Sequence, residues 1–378
     1  MLQYFFIKFD CLACQGIECL ISLEQSGLLV IQRLPMAEKE KSITYKASGV
    51  DVDAGNVFVK KLPSIVNSTF DKNVINGIGD FAALYSLENE QLSNPTLVSA
   101  CDGVGTKIKL AIDMKNYSGI GQDLVAMNIN DLICIGAKPL FFLDYLSMSK
   151  LNIKEHSKLI ESIAVACKKA KVSLIGGETA EMPGIYSEND FDLAGFAVGI
   201  VDRLKKLPKK IEPGDLIYGL PSSGPHSNGF TLIRKLLEKE TEQNLVKLKT
   251  SLITPTRLYS DFARDPLILN MCSGFAHITG GGILDNLPRI FKRGITAKIR
   301  LDSWQIPSSL KWAIKSARLS STEALQTFNC GIGFIAIVPI NRRKEFEIQS
   351  KRINERVIKI GEVINGNQLE FEGGLNIE

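Results

Sequence analysis

The chain has 378 residues, 45% of them hydrophobic and 23% charged, with 45 basic against 41 acidic side chains. This balance excludes a disordered or fibrous chain and predicts two domains, each with its own core. The net charge of +4 is spread along the chain with no basic run interleaved with aromatics, which argues against a nucleic-acid polymer as partner. The longest apolar runs, LLVI at 28–31 and LFFL at 140–143, fall far short of the roughly 20 residues that cross a bilayer, so no membrane span is expected.

Residues 1–35 show no convincing period. Lys8, Asp10 and Glu18 interrupt their apolar opening, which speaks against an export signal and for a cytoplasmic protein. Cys11, Cys14 and Cys19 form a C-x-x-C-x4-C cluster with no fourth zinc ligand nearby, and the three histidines lie far away at 156, 226 and 277. Cys101, Cys134, Cys167, Cys272 and Cys330 stand singly in apolar or glycine-rich stretches and read as reduced thiols. Met36 opens the polar run MAEKEKSITYK, so 1–35 is expected to be an extension outside the fold, followed by an N-terminal domain at 36–203 and a C-terminal domain at 204–378.

From about residue 96 the pattern becomes regular. TLVSA (96–100) and TKIKLAI (106–112) read as strands, the second because Thr106, Ile108, Leu110 and Ile112 alternate with Lys107 and Lys109. A helix over 121–136 ends at Gly136 with Pro139 beyond, and LFFLDYL (140–146) is a continuous apolar strand, buried on both faces or at an interface. An amphipathic helix over 153–170 follows, with Ile153, Leu159, Ile160, Ile163 and Cys167 on one side; VSLIGG and DLAGFAVGIV then complete the first half as strands. The basic, proline-punctuated stretch at 201–217 marks a boundary. Beyond it come strands (IYGL, AKIRL, GIGFIAIV, VIKIGEV) and helices (FTLIRKLLEKE, RRKEFEIQSKR). The order predicts an α/β (α+β) fold and excludes a bundle or an all-β sandwich.

Five stretches carry chemistry. In CDGVGTK (101–107), Gly103 and Gly105 free backbone amides to converge on an anion, Thr106 and Lys107 add a hydroxyl and a cation, and Asp102 adds a carboxylate. The same residues also read as a hairpin turn between two strands. On the helix at 121–136, Asp123 and Asn130 are seven residues apart and share a face, with Asp131 beside it; apolar neighbours make that helix largely buried, so its acids need a partner, and a metal ion would be one. LIGGETAEMPGIY (174–186) places Gly176, Gly177, Glu178 and Thr179 at a strand end. Asp102, Asp131 and Glu178 together are suited to a divalent cation held with nucleotide phosphates. GLPSSGPHSNGF (219–230) offers Ser222, Ser223, Gly224, Ser227 and Asn228 as donors before a helix, with His226 among them, and HITGGGILDN (277–286) repeats the glycine logic.

These stretches, with ITYKASGVDVDAGN (43–56), DLVAMNINDL, GAKPLFFLDYL, TPTRLY (254–259) and TFNCGIGF (327–334), occur in the order and spacing of the phosphoribosylformylglycinamidine cyclo-ligase family. The resemblance runs from about Ile43 to the C-terminus. It implies two domains, an N-terminal mixed sheet that forms a barrel across a homodimer interface and a C-terminal α/β sandwich-like domain. The implied reaction uses ATP and Mg2+: the γ-phosphoryl moves to the formamide oxygen of a ribonucleotide substrate, the amidine nitrogen attacks the activated carbon, and phosphate departs. By the same resemblance Asp102, Asp131 and Glu178 hold magnesium, Thr106 and Lys107 bind phosphates, Asn130 orients, Ser222–Asn228 cradle a phosphate, and His226 transfers a proton or touches phosphate. The chain departs from the family at Asn76, Asp80 and Ala82, where glycine is usual, at Ile135 in place of glutamine, and at Gln326 in place of a basic residue. A nucleotide-binding relative of the same fold with eroded catalysis is the alternative reading.

Overall fold

The protein is described by a computed structural model for residues 4–5, 19–23, 29–33, 46, 48–79 and 81–377. Cys11, Cys14, Met36 and Asp80, singled out above, lie outside them. The chain divides into two units, Met1–Ser48 and Gly49–Glu378. The first holds a small antiparallel sheet of β1 (Tyr4–Phe5), β2 (Cys19–Leu23) and β3 (Leu29–Arg33). CLISL and LVIQR are thus strands, too short for a period to stand out in the sequence.

The second unit opens with α1 (Val52–Val66), β4 (Val74–Asn76), β5 (Leu84–Tyr85) and β6 (Pro95–Gly103). Then come α2 (Lys107–Met114), α3 (Ile120–Cys134), β7 (Lys138–Met148), α4 (Ile153–Ala170), β8 (Ser173–Glu181) and β9 (Phe191–Asp202). Its first sheet has the order β6-β9-β7-β8 and is antiparallel except for β7 and β8, which α4 joins as a crossover. One face of this sheet packs under α3 and α4. Phe142, Leu146 and Met148 of β7 point into that layer and are fully buried, while Leu97 and Phe196 on the other face stay 60% and 42% exposed. LFFLDYL is therefore buried on one face within the chain, its alternate residues Phe141, Leu143 and Tyr145 remaining half-buried.

Helix α3 is apolar nearly all round, with Leu124, Val125, Ile129 and Leu132 buried, each worth about 2 kcal/mol relative to exposure. It lies close against α4 because Gly121 has no side chain: a Cβ there would stand 2.2 Å from the Ile163 nitrogen. The register aligns Asp102, Gly195, Asp144 and Gly177 across the four strands on the α3 face. Glycine at 177 leaves room for the Asp144 carboxylate, whose Oδ1 would be 2.4 Å from a Cβ there. Helix α4 spans the expected residues and is capped by Asn152, whose side chain accepts from the Glu155 amide at 3.2 Å.

TKIKLAI is the one expected strand that is not a strand. It forms α2, whose buried residues are Lys107, Ile108, Leu110 and Ala111. The apparent alternation depended on Lys107 facing water, and its burial removes the period of two. With a helix after Gly105, the hairpin alternative for CDGVGTK also falls.

The remaining elements are β10 (Leu216–Pro221), α5 (Phe230–Leu237), α6 (Glu242–Leu252), α7 (Ser260–Ala263), α8 (Pro266–Met271), β11 (Gly274–His277) and α9 (Gly282–Asn286). They continue with β12 (Ile295–Arg300), α10 (Ser308–Ala317), α11 (Ser321–Thr327), β13 (Ile332–Val338), α12 (Arg343–Arg352), β14 (Ile358–Asn365) and β15 (Glu370–Glu372). The second sheet has the order β11-β13-β10-β14-β12-β15, and β13 is buried along its whole length. This is a mixed α/β architecture with two larger sheets and a two-stranded β4-β5 ribbon; no closed barrel forms among the described residues of one chain.

Candidate active site

Gln122, Asp123 and Asn130 of α3 find their partners in the second half of the unit, while buried Asn128 donates to the Asp102 and Leu124 carbonyls. Gln122 Nε2 donates to the Thr256 carbonyl at 2.8 Å, and Asp123 Oδ1 accepts from the Thr256 amide at 2.7 Å and its hydroxyl at 2.6 Å. Asn130 Nδ2 donates to the Arg257 carbonyl at 2.9 Å while its Oδ1 accepts from the Tyr259 amide at 3.1 Å. The face shared by Asp123 and Asn130 thus satisfies the main chain of TPTRLY, and no metal is needed to explain its buried acid. Asn130, expected to orient a ligand, spends its amide on this seam.

Lys107 is the centre of the same seam. Its side chain is fully buried, and Nζ donates to Asp123 Oδ1 at 2.9 Å, to the His226 carbonyl at 2.9 Å and to the Thr254 carbonyl at 2.7 Å. An ammonium has three donors, so none is left for a phosphate. Burial pushes the Lys107 ammonium down and the Asp123 carboxyl up, and their contact opposes both shifts. The expected phosphate role of Lys107 therefore has no geometry here.

His226 is likewise enclosed. Its ring is wholly buried, Nε2 accepts from the Ser223 amide at 3.2 Å, and Nδ1 is buried without a partner. Burial, helped by the charges of His277, Lys107 and Arg257, holds the imidazole well below its ordinary pKa, so it stays neutral. Gly333 makes the room: a Cβ there would sit 2.4 Å from the ring. A ring so placed opens onto no solvent, and His226 holds its loop with a left-handed backbone, φ +59°.

A cavity of about 620 Å³ opens beside the seam. Its lining draws on both halves of the unit: Asp102, Gly103 and Gly105 with Met127 of α3 and Asp192 of β9 from the first, and Ser227, Asn228, Thr279 and Gly280 from the second. Gly105 takes φ +70° at the turn from β6 to α2, a conformation glycine adopts without cost. Asn286 braces the loop at Gly280, donating to the Gly280 carbonyl at 3.1 Å and the Gly282 carbonyl at 2.8 Å. Burial pushes the Asp102 carboxyl above its usual range; the neighbouring Asp131 charge adds to this, while the Gly103 amide, 2.8 Å away, and His277 oppose it. Asp131 itself pairs with His277 Nδ1 at 2.8 Å.

The other expected residues divide. Thr106 meets the Thr231 hydroxyl at 3.1 Å across the seam, and Ser227 Oγ lies 3.3 Å from Asp123 and 3.1 Å from Thr256. Ser222 donates to Asn329 at 3.1 Å, Ser223 to the Pro255 carbonyl at 2.6 Å, and the Gly224 carbonyl accepts from Asn329 at 2.9 Å, so this part of the loop is internally satisfied. Glu178, with Gly176, Gly177 and Thr179, lies on β8 at the far edge of the first sheet. Three strand spacings, about 14 Å, separate that edge from β6, and Glu178 pairs in register with Tyr145 on the face opposite Asp102. The three acids do not gather, and no cluster of three or more potential ligands occurs among the described residues. Asp192, Met127 and Thr279 are cavity residues that the sequence reading did not select; Asp192 reads there as the polar start of a strand.

The two halves that build the cavity match known domain models. Residues 79–201 match the N-terminal domain of AIR synthase related proteins and residues 212–374 their C-terminal domain. A phosphoribosylformylglycinamidine cyclo-ligase from Desulfatibacillum aliphaticivorans is 43% identical over 345 residues, covering 88% of this chain and 99% of the relative. The chain belongs to the phosphoribosylformylglycinamidine cyclo-ligase family. The fold is shared more widely. Thiamine-monophosphate kinase from Stenotrophomonas maltophilia K279a superposes with a TM-score of 0.65 at 20% identity, covering 83% of this chain and 96% of that one. Hydrogenase maturation protein HypE in complex with ATP does so with a TM-score of 0.60 at 16% identity, over 84% of this chain and 92% of that one.

Proposed function

We propose that the protein is the ligase that closes the imidazole ring of phosphoribosylformylglycinamidine, giving aminoimidazole ribonucleotide, ADP and phosphate in purine biosynthesis. The observation that carries the reading is the cavity between Asp102 on one half and Ser227, Asn228, Thr279 and Gly280 on the other, in a chain of this family. Among the described residues its lining has two carboxylates, Asp102 and Asp192, and no lysine or arginine. A triphosphate entering it meets negative charge and needs a cation with it.

The donor set fits magnesium. Asp102 and Asp131 are two carboxylates close enough for one to raise the other's pKa, and Mg2+ is commonly held by one or two carboxylates with phosphate oxygens and water completing its shell. Magnesium supplies charge neutralisation on the transferred phosphoryl group. The protein's own part is alignment: the Gly103–Gly105 turn and Asn228 line the same cavity and offer it amide donors for a phosphate. The formamide oxygen receives the phosphoryl group, the amidine nitrogen forms the new C–N bond, and the C–O bond breaks as phosphate leaves. Neither Lys107 nor His226 takes part. Glu178 belongs with the exposed face of the first sheet, where half-open Leu97 and Phe196 support pairing with a second copy in a homodimer. The free thiols Cys101, Cys134, Cys167, Cys272 and Cys330 support a reducing, cytoplasmic setting.

The test is ADP release by the purified chain with Mg-ATP, with and without the formylglycinamidine ribonucleotide. Release that requires both the ribonucleotide and magnesium supports the proposal. Saturable ATP binding with no ribonucleotide-dependent ADP release would replace it with a nucleotide-binding role.

A further inference from the structure

The residue types of CDGVGTK direct attention to a lysine that reaches phosphate, yet the ammonium of Lys107 is turned away from the cavity into the join between the two halves. Its three acceptors come from three different places: a carboxylate on α3, the main chain of the PHSNG loop, and the main chain at the first residue of TPTRLY. The acceptor carboxylate then gathers four donors on one oxygen, from Lys107, the Thr256 amide, the Thr256 hydroxyl and the Ser227 hydroxyl. Two of the residues in this knot, His226 and Ser227, immediately precede Asn228, which lines the same cavity as Asp102.

We infer that Lys107 is a positioning residue of the cyclo-ligase site: with Asp123 it fastens residues 226–228 and 254–256 to helices α2 and α3, and so sets where Asn228 stands relative to Asp102. The inference rests on the proposed function for its catalytic consequence, but its structural content stands without it. The physical argument is one of completeness. Every N–H of the ammonium is used, each acceptor is fixed in a separate segment, and the side chain is sealed from solvent over the ring of Phe230, 5.5 Å from its centroid. An ammonium so placed cannot swing to a ligand without leaving two carbonyls and a carboxylate buried and unpaired. Lys107 therefore acts on the reaction only through the loop it holds.

Positioning and phosphate binding make opposite demands on a pair of variants. If Lys107 holds the loop, K107M and D123N break the same knot: both lower kcat/KM at least 30-fold, by similar factors, and the double variant is no worse than the poorer single one. If Lys107 binds phosphate, K107M weakens Mg-ATP binding more than 30-fold while D123N, which leaves the amine in place, does not; that result overturns the inference. Hydrogen exchange supplies the readout that general destabilisation would not mimic. In both variants, amides at 226–228 and 254–259 exchange at least tenfold faster while those of β7 and β9 keep their parent rates; uniform acceleration, or none, also overturns it. Should either variant fail to fold, the unaltered chain decides: the Thr256 and Tyr259 amides exchange as slowly as those of β9, and fast exchange there refutes a fixed join. If the unaltered chain shows no ribonucleotide-dependent ADP release, the proposed function fails while the exchange experiment still judges the knot.

Discussion

Replacing Asp144 by asparagine removes a buried acid from the centre of the first sheet and should make the protein more stable at alkaline pH. The carboxylate is 8% exposed on the α3 face of β7, and burial pushes its pKa up to about 7 from an ordinary 3.8. In the unfolded chain the group ionises near pH 4; in the folded chain it keeps its proton until about pH 7. Stability from this residue is therefore greatest below pH 4, falls as pH rises from 4 to 7, and is level above. At about 1.4 kcal/mol per unit, a shift of about three units amounts to roughly 4 kcal/mol over that whole interval. Asparagine has nearly the same shape and does not titrate. Urea unfolding of both chains at pH 5 and pH 8.5 should show the variant gaining about 3 kcal/mol on the parent between the two, whatever fixed cost its amide carries. A difference that does not change with pH would mean that Asp144 is already ionised in the fold, and the burial argument would be wrong.

Other perturbations test the fold and the site. Gly121→Ala drives a methyl group into the α4 main chain and should cost about 3 kcal/mol in urea unfolding, the upper end for overpacking; an unchanged midpoint would show that α3 and α4 do not touch there. Asp102→Asn should keep the urea midpoint and lower ribonucleotide-dependent ADP release by about 100-fold or more, and full activity would remove Asp102 from cation binding. Glu178→Gln should leave kcat within about threefold of the parent, because its carboxylate faces away from Asp102; a loss as large as that of Asp102→Asn would return Glu178 to the metal site through a partner subunit.

The sequence made much of this legible, and its failures have physical causes. Helix α4 was readable because a long segment shows its period, and strands β7 and β9 because their runs are long and mostly apolar. Helix α2 was not, because seven residues cannot separate a period of two from one of 3.6 when one lysine is assigned to the wrong side. Asp123 could be seen to need a partner but not to have Thr256, 133 positions away, since burial announces a demand and only topology meets it. Glu178 looked equivalent to Asp102, both being acids at strand ends. The β7-α4-β8 crossover carries it to one edge of the sheet, while the antiparallel pairing of β6 with β9 takes Asp102 to the other.

The missing side chain at Gly121 has a consequence beyond packing. With its main chain seated on α4 on one flank and stitched to residues 254–259 on another, helix α3 has no direction in which to slide. The turn at Gly105 differs: its backbone is left-handed and a Cβ there would meet nothing within 4 Å, so it has room to adjust to an incoming nucleotide. The beam is stationary and the latch has play, so substitutions that alter the pace of ligand entry should be sought in that turn and not along the helix.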